Sequence, residues 1–509
     1  MTEGIELQLL SGVVVLGLVT LTTLGVYRVW FHPLAFIPGP KAAALSTDWL
    51  YRASIGKYVE ETLDVLHDEY KSSVIRIAPN ELHIRKPELY KTIYSQSTAY
   101  YKPWSFYQSL SIPHSLTTES DPNVHRDLRR ILNPYFSKRS VDQLSSLVLS
   151  KIERLDTKLR RIDKPFDAHN AVMCLTVELI TEFLFGRHVN MIEASENTFE
   201  ADFLEIFEAA STGQPELLFH PIISRIKFAL PKSLLLVIDK KLGKLLQIGE
   251  WAQDCVKHYN TKTKGGEGMD HPVIFDSLEN LSDDRKASMA SELLVAGSDT
   301  SGTTLTYALY YICSNPYINN KLTEELKKAM PTMDTTPILL ELEQLPYLSA
   351  CVKESLRLAC PVPGRLPRIV PVGKPLIVDD KHIPPGTIVG MSAYNLHFAE
   401  SLWGHDVHDF IPNVGSTEKT RSSISGLRHF PRVHGHVLGR SKGSIFFPSV
   451  SITDNASSLA LAEIRMTIAV LFRRFDFSLP LGSKLNSKHD SFTVHLASPG
   501  LLLRCKPKK

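Results

Sequence analysis

The stretch SELLVAGSDTSGTTLTYALY, Ser291 to Tyr310, is the middle of one long helical segment. Upstream, Ser282 followed by Asp283 and Asp284 predicts a helix start, with a hydroxyl to cap free amides and acids at the positive end of the dipole. Downstream, Ser314-Asn315-Pro316 predicts the stop, since proline cannot continue a helix. About 30 residues between them give roughly 45 Å of helix, enough to cross a domain. The centre is poor helix material: Gly297, Ser298, Asp299, Thr300, Ser301, Gly302, Thr303 and Thr304 all rank low, yet apolar residues flank them. Burying such a patch is costly unless its groups find partners. Asp299 and Thr300 place an acid beside an alcohol, a pair able to pass protons into a dry site. Two shorter helices joined by a loop is the other reading of the same composition.

Outward from this helix, the chain has 509 residues, a net charge of +3 and 43% hydrophobic residues. Lys and Arg are scattered without interleaved aromatics, which argues against nucleic-acid binding. The six cysteines, Cys174, Cys255, Cys313, Cys351, Cys360 and Cys505, form no CxxC pair. They suit reduced thiols facing the cytosol rather than a disulfide framework. Leu7 to Val26 carries no charge and has the length of a bilayer's hydrocarbon core. Glu3 and Glu6 precede it and Arg28 follows, which predicts an uncleaved anchor with the body on the cytosolic side. A buried core helix is the alternative. No linker marks an internal boundary, so residues 1–30 read as the anchor and 31–509 as one catalytic domain.

Along that domain, Pro33, Pro38 and Pro40 turn the chain away from the membrane. Val74–Ile77 and Glu81–Ile84 predict a β-hairpin. HRDLRRILNPYFSK from His125 starts a basic helix, in which His125 and Arg129 share a face at i, i+4 and could hold an anion. Large apolar residues between Glu205 and Leu230 could line a pocket or touch a membrane. Leu345 to Leu358 predicts a helix in which Glu354 and Arg357 pair at i, i+3 as a structural staple. Short strands follow at Leu366–Pro371, Leu376–Val378 and Thr387–Met391.

Taken together, these motifs resemble the cytochrome P-450 haem-thiolate monooxygenases, in particular the membrane-bound fungal enzymes of secondary metabolism. AGSDTS, Ala296 to Ser301, is similar to that family's oxygen-activation motif, and Glu354-Ser355-Leu356-Arg357 to its ExxR motif. RLPRIVP, Arg365 to Pro371, resembles the strand after it, and LALAEIRMTIAVLFRRFDFSL, Leu459 to Leu479, the helix beyond the haem ligand. The resemblance implies a mostly α fold with a small β region behind one transmembrane helix. It implies haem iron as cofactor and O₂ as oxidant, with electrons from NADPH through the NADPH-cytochrome P-450 reductase. It assigns Asp299 and Thr300 to catalysis, Glu354 and Arg357 to a structural ion pair, and His125, Arg129, Ala296, Gly297 and Arg368 to the cofactor. The substrate it implies is a small hydrophobic metabolite, such as a terpenoid or polyketide, and the location the endoplasmic reticulum membrane.

One element departs from the pattern. The family's axial ligand is a cysteine thiolate, which pushes electron density onto iron and favours O–O cleavage. No cysteine lies between Cys360 and Cys505. Ser441-Lys442-Gly443-Ser444 begins like the ligand signature, but the counterpart of the ligand is Phe447, so no axial metal ligand is identified. His429, His434 and His436 read as loop histidines rather than ligands. The segment 413–458 is serine-rich, without helical or strand period, and reads either as a binding module's altered loop or as a shifted frame or retained intron.

Overall fold

The computed structural model describes residues 2–56, 58–95, 98–200, 203–264, 271–412, 456–486, 488–490 and 492–508. Asp283–Ser314 is one unbroken helix of 32 residues, and Ser282 caps it by accepting the Arg285 amide at 3.4 Å. Four hydroxyls in and beside the polar centre find a partner one turn back. Ser298 Oγ donates to Leu294 O at 2.5 Å, Thr300 Oγ1 to Ala296 O at 2.8 Å, Thr304 to Thr300 O at 2.8 Å and Thr306 to Gly302 O at 2.8 Å. These local bonds lower the cost of burying alcohols.

The two glycines of the patch serve packing. A Cβ on Gly297 would stand 2.7 Å from Ile180 Cδ1, and one on Gly302 would overlap Met173. Both partners belong to helix Ala168–Phe185, which packs along the long helix. Glycine here exchanges helix propensity for close approach of two helices.

The described residues sort into two compact units, Met1–Pro103 with Arg365–Ser392, and Trp104–Gly364 with Ala393–Lys509. The larger unit is mostly helical. Its apolar core runs through Val172, Leu179, Leu294, Leu305, Val352 and Leu471, joining the long helix to helices Ala168–Phe185, Pro346–Ala359 and Ala456–Arg474. Leu459 to Leu479 is not helical throughout: the helix ends at Arg474, and Phe475–Ser478 is a strand. Its FDFS alternation buries Phe475 and Phe477 and pairs antiparallel with Leu502–Pro507, which also pairs Phe166–Asp167. Between Glu205 and Leu230, Phe207 and Leu217 are buried while Ile222, Ile223 and Ile226 are exposed.

The smaller unit holds a four-stranded sheet in the order Val74–Ala78, Glu81–Ile84, Ile388–Gly390, Arg368–Ile369. The predicted hairpin is antiparallel with Val74 opposite Ile84, and Glu81–Ile84 then pairs in parallel with Ile388–Gly390. The strand expected over Leu366–Pro371 shrinks to Arg368–Ile369, because the prolines at Pro367 and Pro371 cannot donate to a ladder. Pro38-Gly39-Pro40 lies against the first strand: Arg76 N donates to Pro38 O at 2.8 Å, and a Cβ on Gly39 would run into the Arg76 backbone. Gly39→Ala is expected to lose about 1–3 kcal/mol of stability, read as a lowered denaturant midpoint at unchanged slope.

Leu10–Phe31 is apolar and long enough to cross a membrane, and none of it is buried. Ala168–Phe185 passes the same test of length and apolarity but is 94% buried, as a core helix.

Candidate active site

Asp299 is 5% exposed. Burial pushes its carboxyl up to about 7, against the opposing pull of the Thr493 hydroxyl. It is therefore poised between acid and carboxylate near neutral pH, as proton transfer requires. Thr300, one residue on, commits its proton to Ala296 O and keeps its oxygen as an acceptor. Ala296 thus orients Thr300 through its backbone, while Gly297 faces Ile180. A second buried acid does not stand out in the sequence pattern. Glu463, on helix Ala456–Arg474, is pushed by burial up to about 8, with the Ser301 hydroxyl opposing. Its one local signal is a glutamate inside the apolar run Leu459-Ala460-Leu461-Ala462 before Ile464.

Behind the long helix, Glu354 and Arg357 form a closed ion pair, with side chains 6% and 2% exposed. Arg357 donates to both carboxylate oxygens, Nε at 3.0 Å and Nη2 at 2.8 Å. Its remaining donors reach His397 O at 3.1 Å, Val407 O at 2.6 Å and Asp409 O at 3.2 Å. Glu354 Oε1 also accepts the Ile411 amide at 3.1 Å. The guanidinium lies over Trp403, 5.2 Å from its ring centre. One helix turn thereby fastens the whole segment 397–411, using the fixed fork of arginine donors.

His125 and Arg129 stand on one face of helix Pro122–Leu132, both half-buried, while Arg126 and Arg130 are solvated. Asp121 caps that helix by accepting Asn123 N at 2.8 Å, with Pro122 at its first position. Arg368 belongs to the smaller unit. Its strand pairs with Ile388–Gly390, and its guanidinium donates to Pro367 O at 2.9 Å and lies 5.3 Å from the Tyr94 ring centre. The other arginine of that motif, Arg365, is buried in an ion pair with Glu81 at 2.7 Å.

Among the described residues no group of three or more His, Cys, Asp or Glu could hold a metal ion. Phe447, His429, His434 and His436 lie outside the described residues. Cys360 is buried at the end of helix Pro346–Ala359 with φ 38°, its amide bonded to Leu356 O at 3.1 Å. Cys505 sits in strand Leu502–Pro507 opposite Phe477. Burial pushes the Cys174 and Cys313 thiols up to about 12, and those of Cys255 and Cys505 up to about 11.

Comparison with known proteins bears on this arrangement. The cytochrome P450 sequence profile matches residues 65–425. Cytochrome P450 monooxygenase macH of Penicillium terrestre is 29% identical over 490 residues, covering 92% of each chain. Cytochrome P450 monooxygenase aneF of Aspergillus aculeatus is 30% identical over 484 residues, covering 91% of this chain and 92% of its own. Cytochrome P450 monooxygenase sol6 of Alternaria solani is 31% identical over 447 residues, covering 82% of this chain and 92% of its own. A buried acid and alcohol at the centre of a 32-residue helix, an ExxR pair fastening the segment behind it, and these full-length relatives leave one assignment: this chain belongs to the cytochrome P450 monooxygenase family.

Proposed function

We propose that this chain has the frame and proton-handling helix of a fungal secondary-metabolism monooxygenase, acting on a small hydrophobic metabolite, but lacks the thiolate its chemistry needs. The observation that carries the reading is the cysteine inventory. All six cysteines lie outside residues 361–504, whereas the ligand loop precedes the helix that begins at Ala456. Cys360 and Cys505 are built into a helix end and a strand, and their thiols are buried. The donor set present does not fit a thiolate-ligated haem. By the resemblance, His125, Arg129 and Arg368 are the groups suited to haem propionates, so haem binding without thiolate ligation is the expected residual property.

The test is a carbon monoxide difference spectrum of the full chain, expressed and supplied with haem. The expected result is no red-shifted thiolate band; a strong one means that another cysteine reaches the iron. Reading the transcript across residues 413–458 separates the two accounts of that segment. A restored cysteine in a GxRxC context would return monooxygenase function, with Asp299 as proton source and Thr300 as relay. In that version Thr300→Ala is expected to consume electrons without forming product, whereas unchanged coupling would leave Thr300 a structural role only.

The exposed apolar helix supports anchoring in the endoplasmic reticulum membrane with the body in the cytosol, where NADPH-cytochrome P450 reductase would supply electrons. Deleting residues before Phe31 is expected to move the chain from the membrane to the soluble fraction. Glycosylation at Asn280 would contradict the orientation.

A further inference from the structure

The smaller unit buries a chain of polar groups that no function above employs. Glu60 and His67 stand on helix Val59–Glu69, His83 on strand Glu81–Ile84, and Ser392 just after strand Ile388–Gly390; none is more than 1% exposed. His67 Nδ1 lies 2.6 Å from Ser72 O, and His67 Nε2 lies 2.7 Å from His83 Nδ1. His83 Nε2 lies 2.6 Å from Ser392 Oγ, and the Ser392 hydroxyl is hydrogen-bonded to Glu60 Oε2. Glu60 Oε1 also accepts the Arg365 amide at 3.2 Å.

Counting protons along this chain leaves little freedom. A carbonyl only accepts, so His67 Nδ1 carries a hydrogen. A neutral imidazole has one N–H, so His67 Nε2 accepts and His83 Nδ1 donates. By the same rule His83 Nε2 accepts, and Ser392 donates to it. A hydroxyl has one proton, so towards Glu60 the Ser392 oxygen can only accept, and Glu60 must be the donor. If Glu60 is ionised instead, every bond from Ser392 onward reverses until one imidazole carries two N–H groups. Either way the chain holds one proton more than an ionised glutamate with two neutral histidines.

We infer that this buried chain is a one-proton store, with the proton resting on Glu60 as a carboxylic acid, which couples folding of the smaller unit to pH. Its surroundings favour that site over the imidazoles. Burial, the neighbouring His67 and the cations Arg365 and Arg85 hold His83 well below its ordinary value, and burial holds His67 down to about 4. Other charges facing the chain are already matched. Arg85 pairs with Asp64 at 3.0 Å and Asp68 at 2.5 Å, and Arg365, which also acts on Glu60, with Glu81 at 2.7 Å. Arg76 on the neighbouring strand donates to Arg28 O and Pro79 O, and Tyr94 faces Arg365.

The sign of the effect follows. Above pH ~6.5 the unfolded chain has an ionised Glu60 and neutral histidines, so folding takes up a proton and stability falls as pH rises. Below that pH the unfolded histidines bind protons that the folded chain cannot seat, so stability falls again. The contribution peaks near pH ~6.5.

The test compares thermal unfolding of the detergent-solubilised full chain with that of Glu60→Gln, from about pH 6.5 to about pH 9. The glutamine amide donates to Ser392 as the acid does but needs no proton. The parent's folding constant is expected to fall up to about tenfold per pH unit relative to the variant. Parallel curves overturn the proposal. Should Glu60→Gln not fold, Ser392→Ala removes the hydroxyl which, having given its proton to His83, obliges Glu60 to donate. Its infrared difference spectrum against the parent at about pH 8 is expected to shift or lose one protonated-carboxyl band, and an unchanged carboxyl region overturns the proposal.

Discussion

Replacing Arg357 by alanine is expected to remove about 3–5 kcal/mol of stability, the range for breaking a buried ion pair at one partner. The loss exceeds that of a surface pair for two reasons. Glu354 would be left buried without its cation, and the carbonyls of His397, Val407 and Asp409 would lose their donor together. Segment 397–411 should then become susceptible to limited proteolysis before the rest of the larger unit unfolds. Arg357→Lys should rescue little, because one ammonium cannot span two carboxylate oxygens and three carbonyls. Denaturant unfolding of the two variants, with proteolytic mapping, checks this. Equal stability of Arg357→Lys and the parent would mean that charge alone, rather than the fork of donors, fastens the segment.

Asp299→Asn is expected to change stability in the opposite direction, and only at higher pH. The Asp299 carboxyl is raised from 3.8 to about 7 by burial. A group raised on folding contributes fully below its unfolded value and loses that contribution as pH rises through its folded value. The parent should therefore weaken between about pH 4 and about pH 7, by up to ~4 kcal/mol in all, at ~1.4 kcal/mol for each pH step of one. Asparagine has no such titration. The variant should be more stable than the parent above neutral pH and show a flatter pH profile, measured by thermal midpoints across that interval. Identical profiles would mean that Asp299 ionises as easily in the folded chain as in the unfolded one. A costly acid kept at the centre of the fold fits a residue retained for chemistry rather than for stability.

Much of this was legible from local sequence, since it depended on local rules. Ser282 and Pro316 mark the ends of the long helix because caps and proline act within one turn. The hairpin at Val74–Ala78 and Glu81–Ile84 follows from alternation about a Pro-Asn turn. The pairing of Glu354 with Arg357 follows from helical spacing. That no cysteine lies between Cys360 and Cys505 is likewise read from the sequence alone.

What the tertiary structure decided involves partners far apart in the chain. Gly297 and Gly302 read as weak helix positions, and only the approach of Ile180 and Met173 shows that a Cβ there would force those side chains to shift. Leu459–Leu479 reads as one helix, yet Phe475–Ser478 turns to strand because Leu502–Pro507 offers it a ladder. Arg357 looks like half of an i, i+3 pair, and its carbonyl partners lie 40 to 52 residues away. Glu60 and Ser392 are separated by 332 residues, so no local pattern could join them, and His83 reads as one polar residue in a short strand. Local propensity acts over a few residues, whereas burial, which sets the charge of Asp299, Glu463 and the histidine chain, is a property of the packed whole.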